Sequence, residues 1–421
     1  MMNPIWLAAA LFLLTYMLIV TERVHRTVAA LLGGVAMIDL GLLSQDQAFH
    51  AIDWNVIFLL TGMMVLANVL RETGLFQWVA FQAVRLGRGK PYRILVILCA
   101  VTALGSAFLD NVTIVVLVAP VTFFVASSLR VSPIPFLVAE ILAANIGGTA
   151  TLIGDPPNIL IASAAGIDFT SFIVNMGPIA LLIFLAFIGL SRVLFRTDLE
   201  TRSPRKPVID ALEAKALITD RLLLRKALVV MAAVTIGFLI HGALHLQPAT
   251  IALTGATVML LWTRSDPNRL LQEVEWSTLF FFIGLFITVQ AVVEVGIIRW
   301  AADSALRLTG GDVRLTSIAL LWLSALASGI VDNIPYTATL IPLVQQLGQA
   351  MPVEPLWWSL SLGACLGGNT TLVGASANVV VASLADKSGH TISFLKFLGY
   401  GATVTAMSLV LATAYVWLRY L

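Results

Sequence analysis

Charge is scarce in this sequence: Asp, Glu, Lys and Arg make up 11% of 421 residues, against 59% hydrophobic residues. A soluble domain carries about a quarter charged residues, so the composition excludes one and describes a chain that crosses a bilayer many times. The length suits about 10–12 spans of about 20 residues each plus loops. Cysteine is nearly absent. Cys99 and Cys365 both lie in apolar segments, which excludes a disulfide framework and a thiolate metal site. There is no HExxH motif, no phosphate-binding glycine loop, no nucleic-acid patch and no nucleophile–base pair. The sequence therefore reads as a non-enzyme without cofactor, resident metal or nucleic-acid partner. The N-terminal MMNPIWLAAALFLLTYMLIV lacks a basic leader and a small-residue cleavage site, and reads as a span that stays.

What the chain has in abundance is internal repetition. NIGGTATLIGDPPN, Asn145 to Asn158, returns as CLGGNTTLVGASAN, Cys365 to Asn378. At a constant shift of 222 residues, Trp54 meets Trp276, Gly62 meets Gly284, Asp110-Asn111 meet Asp332-Asn333 and Pro120 meets Pro342. At a shift of 220, Gly147, Gly148, Thr151, Gly154 and Asn158 meet Gly367, Gly368, Thr371, Gly374 and Asn378. Chance similarity between apolar segments matches Leu to Val; it does not align Trp, Asp-Asn and Gly-Gly. The expected fold is all-α: two five-span halves, each with a re-entrant helical hairpin and a broken helix. The first half covers residues 1–195 (hairpin 94–127, broken helix 135–166). A charged cytoplasmic linker, 196–225, leads to the second half, 226–421 (hairpin 317–347, broken helix 356–385).

Five spans per half invert the second half relative to the first. That arrangement puts 20 Lys and Arg on one side and four on the other, Arg299, Arg307, Arg314 and Arg419, with Lys396 at the start of the last span. The positive-inside rule makes the first side cytoplasmic. Both termini are then outside, the first hairpin opens from the cytoplasm and the second from the exterior.

Chemistry concentrates at the hairpin tips and the helix breaks. Asp110 and Asp332 are each followed by Asn at a helix–helix turn, where either residue type caps a helix. Asp at membrane depth costs about 2.5–3.5 kcal/mol on insertion scales, so its use at both tips asks for a further job: binding a coupling proton or Na⁺. The breaks place Gly147, Gly148, Thr149, Thr151 and Asn158 opposite Gly367, Gly368, Asn369, Thr370, Thr371 and Asn378. With Asn111 and Asn333 these form the candidate substrate-binding set. The half-helices are expected to resume at Asn158 and Asn378 as caps, their positive ends aimed at the midplane. The halves differ at two acids. Asp155 faces Ala375 and Glu140 faces Leu360, which makes Asp155 and Glu140 further candidates for the coupling ion. His241 and His245 read as interfacial, and Trp54 and Trp276 as interface anchors.

LDNVTIVVLVAPVT together with NIGGTATLIGDPPNILIASAAG resembles the ArsB–P protein–NhaD group of the ion-transporter superfamily, distantly similar to divalent-anion/sodium symporters. The resemblance implies scaffold and transport domains, elevator-type motion and often a dimer. It implies arsenite or antimonite export in ArsB-type members and Na⁺/H⁺ exchange in NhaD-type members. Dicarboxylate symporters carry Ser-Asn-Thr at the tips, which this chain lacks, and no Arg or Lys lies within its breaks; both points count against a dicarboxylate carrier. The expectation is a multi-pass inner-membrane transporter exporting arsenite or antimonite against protons. A Na⁺/H⁺ antiporter stays open as the alternative, and behind it a dicarboxylate or anion symporter and a passive channel. A homodimer and an ATPase subunit docking on the linker are the expected protein partners.

Overall fold

The computed structural model describes residues 3–21, 23–199 and 218–421. Most of the 196–225 linker therefore lies outside the described residues. Among them the chain is helical and forms no strand.

The first half contributes α1 (Pro4–Thr21), α2 (Arg26–Asp39), α3 (Gln45–His50), α4 (Trp54–Glu72) and α5 (Leu75–Gly87). These are followed by α6 (Pro91–Phe108), α7 (Asn111–Leu129), α8 (Ile134–Gly148), α9 (Pro156–Ala165) and α10 (Phe169–Leu194). The second half repeats the series as α11 (Arg221–Leu244), α12 (Pro248–Thr263), α13 (Pro267–Gln272), α14 (Trp276–Glu294) and α15 (Ile297–Thr309). It ends with α16 (Val313–Ser328), α17 (Asn333–Leu347), α18 (Glu354–Gly367), α19 (Ser376–Lys387) and α20 (Phe394–Tyr420). A short helical turn, Arg196–Leu199, follows α10. Helix n of the first half thus corresponds to helix n + 10 of the second. Eight helices (α1, α4, α6, α7, α10, α11, α14 and α20) are long and apolar enough to cross a bilayer.

The halves interlock reciprocally. Helix α2 packs on α14 while α12 packs on α4, and α9 packs on α17 while α19 packs on α7. The contacts match residue for residue. A Cβ on Gly62 would lie 2.7 Å from the Ala252 carbonyl carbon, and a Cβ on Gly284 would lie 2.5 Å from that of Ala30. Ala252 is Ala30 shifted by 222 residues. Residue i of one half meets j of the other, and j's counterpart meets i's: this is the signature of an isologous, two-fold contact within one chain. Only glycine allows these backbones to touch.

Two helical hairpins pair α6 with α7 and α16 with α17. The first turn is sharp because Leu109 is extended and Asp110 caps α7, accepting the Thr113 N–H at 3.0 Å. Asp332 caps α17 in the same way, accepting the Ile334 N–H at 3.0 Å. Each hairpin lies against a broken helix so closely that Gly147 and Gly367 touch backbone. An added Cβ would sit 2.2 Å from Ala103 O and 2.5 Å from Ala325 O, respectively.

Candidate functional site

Each break is a compact loop between two half-helices. In the first, α8 ends at Gly148 and α9 starts at Pro156. Pro156 and Pro157 occupy the first helical positions, where no N–H is needed. The loop folds back until Gly154 lies against Gly148, and a Cβ on Gly154 would be 2.6 Å from both Gly148 O and Ser106 O. Asn158 and Asn378 are not the expected caps: the capping positions belong to Asp155 and Ala375. The reason is the carbonyls that the breaks leave behind. Asn158 Nδ2 donates to Gly148 O at 3.1 Å and Thr151 O at 3.0 Å. Asn378 Nδ2 donates to Gly368 O at 2.7 Å and Thr371 O at 2.8 Å. Each amide clamps the end of the preceding half-helix, where carbonyls lack intrahelical partners.

The hydroxyls of the breaks are turned to protein partners. Thr149 Oγ1 donates to Asn145 O at 2.8 Å, Thr371 Oγ1 to Gly329 O at 2.6 Å, and Thr151 Oγ1 to Ala107 O. Thr370 Oγ1 donates to Thr405 Oγ1 at 3.2 Å. These bonds tie the breaks to the hairpin ends and to α20.

The amides form one network across the two halves. Asn145 Nδ2 donates to Asn369 Oδ1 at 2.9 Å and to Asn378 Oδ1 at 3.0 Å. The Cys365 thiol, the counterpart of Asn145, donates to Asn158 Oδ1 at 3.2 Å, and Ser361 Oγ adds a bond at 2.7 Å. Asn111 Nδ2 donates to Asn145 Oδ1 at 3.1 Å and approaches Asp155 Oδ1 at 3.4 Å. Asn333 Nδ2 lies 3.3 Å from both Asp155 oxygens. Both hairpin tips therefore converge on Asp155, which is 1% exposed. Asp155 stands at the capping position of α9, yet its side chain makes no capping bond; its oxygens face the two tip amides.

A cavity of about 40 Å³ opens beside this carboxylate. Asp110, Asn111, Asp155 and Asn333 line it from the hairpins and the first break. Leu60, Met63, Met64 and Ala67 of α4, with Glu275 and Thr278 at the start of α14, close the other side. One water needs roughly 10–15 Å³ on this measure, so there is room for a few waters or a small inorganic solute. An adjoining cavity of about 280 Å³ is lined by Asp332, His25, Arg26 and Ser376.

Arg26 corrects the expectation that no cation stands at the breaks. Its guanidinium donates to Ser376 Oγ, lies 3.5 Å from Asp332 Oδ2 and stacks 5.5 Å over the Phe281 ring. Ser376 in turn donates to Asp332 Oδ2 at 2.8 Å. Arg26 is far from both breaks in sequence, but the asymmetry of the halves marks it: its counterpart is Pro248. Glu140 sits away from the cavity, 2% exposed, accepting the Thr122 hydroxyl at 2.6 Å. His241 is buried rather than interfacial. Its Nε2 accepts the Phe169 N–H at 3.0 Å and its Nδ1 lies 3.0 Å from Leu246 O, so both ring nitrogens are spent on backbone.

Comparison with known proteins places the chain in a family. The profile of CitMHS, described as citrate transporter, matches residues 16–363. An uncharacterized transporter of Mycobacterium tuberculosis strain H37Rv is 47% identical over 98% of both chains. The human P protein is 32% identical over 98% of this chain, which spans 60% of its length. Among solved structures, the Alcanivorax borkumensis YdaH transporter aligns with a TM-score of 0.63 at 14% identity, over 99% of this chain and 98% of the other. The Neisseria gonorrhoeae efflux pump MtrF aligns with a TM-score of 0.64 at 12% identity, over 100% and 95%. At such identities the likeness concerns the fold.

Proposed function

The chain belongs to the CitMHS family of the ion-transporter superfamily, and from that premise we propose that it exports arsenite or antimonite in exchange for protons. It is a multi-span membrane transporter; the family and its relatives are transporters, not enzymes. The observation that carries the finer reading is Asp155. A carboxylate taken out of water costs several kcal/mol unless it is neutralised. Here the polar side chains that meet it are neutral, the amides of Asn111 and Asn333 and the thiol of Cys365, while the nearby Arg26 is engaged by Asp332 and Ser376. The balance falls to a proton or a small cation, which a coupled transporter must bind and release. Asp110 lines the same cavity and serves the same exchange, whereas Asp332 is held by Arg26 and Ser376.

The cavity supports a small neutral cargo. Undissociated arsenite is a trihydroxy species, and the amides of Asn111 and Asn333 offer it hydrogen bonds without charge. Three carboxylates, Asp110, Asp155 and Glu275, face one guanidinium, Arg26, around the cavity. That balance disfavours di- and tricarboxylates in this cavity. The same carboxylates favour one second reading, exchange of Na⁺ for protons.

In this account the hairpins and broken helices form the moving unit, and α1, α2, α4 and their counterparts form the scaffold. Charge segregation supports an inner-membrane location with both termini outside. The linker is where an ATPase subunit would dock, and a homodimer would join two scaffolds. The test is uptake into everted vesicles of arsenite, antimonite, Na⁺ and succinate, each with and without an acid interior. Metalloid accumulation that requires the pH gradient is the expected result; accumulation of Na⁺ or succinate alone would overturn it.

A further inference from the structure

The first hairpin carries polar groups that the cavity does not use. Cys99, Thr102 and Ser106 stand at i, i+3 and i+7 on one face of α6, and all three are fully buried. The hydroxyls of Thr102 and Ser106 make no hydrogen bond among the described residues. A buried hydroxyl left unpaired costs about 1–3 kcal/mol, so two on one face need a reason. At the lower end of this face lies Glu140 of α8, bonded to Thr122 of α7 and within electrostatic reach of the Cys99 thiol, the titratable group that faces it. At the upper end Ser106 meets the first break: a Cβ on Gly148 would lie 3.2 Å from its Oγ. Helices α6 and α8 run side by side in the same sense, because Ala103 touches Gly147 and, one turn on, Ser106 meets Gly148.

The second half supplies the control. Thr102 and Ser106 correspond to Ser324 and Ser328 at the shift of 222 residues. There both hydroxyls have partners: Tyr336 donates to Ser324 Oγ at 3.2 Å, and Ser328 donates to Ala364 O at 2.6 Å. Glu140 and Thr122 correspond to Leu360 and Val344. The Thr102–Ser106 pair is thus unpaired and ends on a buried carboxyl, whereas its Ser324–Ser328 counterpart is paired and meets no acid among the described residues. The buried hydroxyls that lack a partner in the second half, Ser317 of α16 and Ser359 of α18, stand where the first half has Leu95 and Ala139.

We propose that this face of the first hairpin is a proton path: Glu140 is a proton-binding site, and Thr102 and Ser106 relay protons between it and the Asp155 site. Each relay hydroxyl accepts a proton on an oxygen lone pair and passes its own onward, so nothing but the proton moves. Glu140 and Gly148 are eight residues apart on α8, or about 12 Å. Thr102 and Ser106 are one turn apart, about 6 Å, a gap that the proposed relay has to span with a transient water. The proposal rests on the reading of the chain as a proton-coupled transporter.

Infrared spectroscopy of the whole protein in lipid tests it without a transport assay. The carbonyl stretch of protonated carboxylic acids is followed during transfer from H₂O to D₂O. Glu140→Gln should remove one band. Thr102→Val with Ser106→Ala should keep that band but slow its deuteration by about tenfold or more, whereas Thr102→Ser and the second-half Ser324→Ala should leave the rate unchanged. A spectrum unchanged in Glu140→Gln, or wild-type deuteration in the double variant, overturns the path. Failure of metalloid transport with these bands and rates intact overturns only the substrate reading.

Discussion

Arg26 ties the tip of the second hairpin to α2, and the strength of that tie can be worked out from its surroundings. The pair is partly shielded: the side chains of Arg26 and Asp332 are 31% and 16% exposed. The guanidinium also holds Ser376 and the Phe281 face. A hydrogen bond to a charged group contributes about 1.5–3 kcal/mol, and exposed ion pairs measure about 0.2–1 kcal/mol. The partial exposure places this pair between them, at about 1–2 kcal/mol. At 1.4 kcal/mol per decade, its loss should shift the equilibrium between tip-docked and tip-released states by roughly 5- to 30-fold. A double-mutant cycle of Arg26→Gln and Asp332→Asn isolates the term. The readout is the distance distribution between spin labels on Arg23→Cys and Ile330→Cys; Cys99 and Cys365 are buried and stay unlabelled. Each single variant should populate a longer distance, and the double variant should add little. A coupling below about 0.3 kcal/mol, within the additivity of independent sites, would refute the tie.

Other consequences are as direct. Gly147→Ala and Gly367→Ala should each destabilise the protein by about 1–3 kcal/mol, because the new Cβ meets helix backbone at 2.2 and 2.5 Å. Gly189→Ala on α10 meets nothing within 4 Å and should be neutral or slightly stabilising in the same detergent melting experiment. Asn158→Ala should cost about 1–3 kcal/mol by leaving the carbonyls of Gly148 and Thr151 unpaired. Asp168 caps α10 outside the span. Burial pushes its carboxyl up, but the hydroxyl and N–H of Ser171 and the N–H of Thr170 outweigh this and hold it below its ordinary value. Its contribution, about 1 kcal/mol, is complete above the unfolded-state value near 3.9 and is lost as pH falls through the lower folded value. Asp168→Ala should lower the melting temperature at pH 7 and flatten its acid dependence.

Much of the architecture was legible because duplication writes itself into the chain. Trp54 with Trp276 and the two Asp-Asn tips fixed the register of the halves, and the register carried the hairpins and breaks with it. What could not be read was reach. Asn158 was expected to cap the helix it begins. It instead turns back to carbonyls that exist only because the loop folds Gly154 onto Gly148. Arg26 lies 306 residues from Asp332, and nothing local announces that they meet. Their approach depends on how α2 packs on α14 and on where the second hairpin ends. The usable signal was asymmetry between the halves: Asp155 against Ala375, Glu140 against Leu360, and Arg26 against Pro248.

The central claim is that Asp155 carries the coupling proton, and the Asp155→Asn variant in proteoliposomes tests it most directly. The variant keeps the shape and can still bond to Asn111 and Asn333, but it cannot lose a proton. The account predicts antimonite exchange without a gradient at close to the wild-type rate, and no accumulation driven by an acid interior. Accumulation by Asp155→Asn at the wild-type level would contradict it.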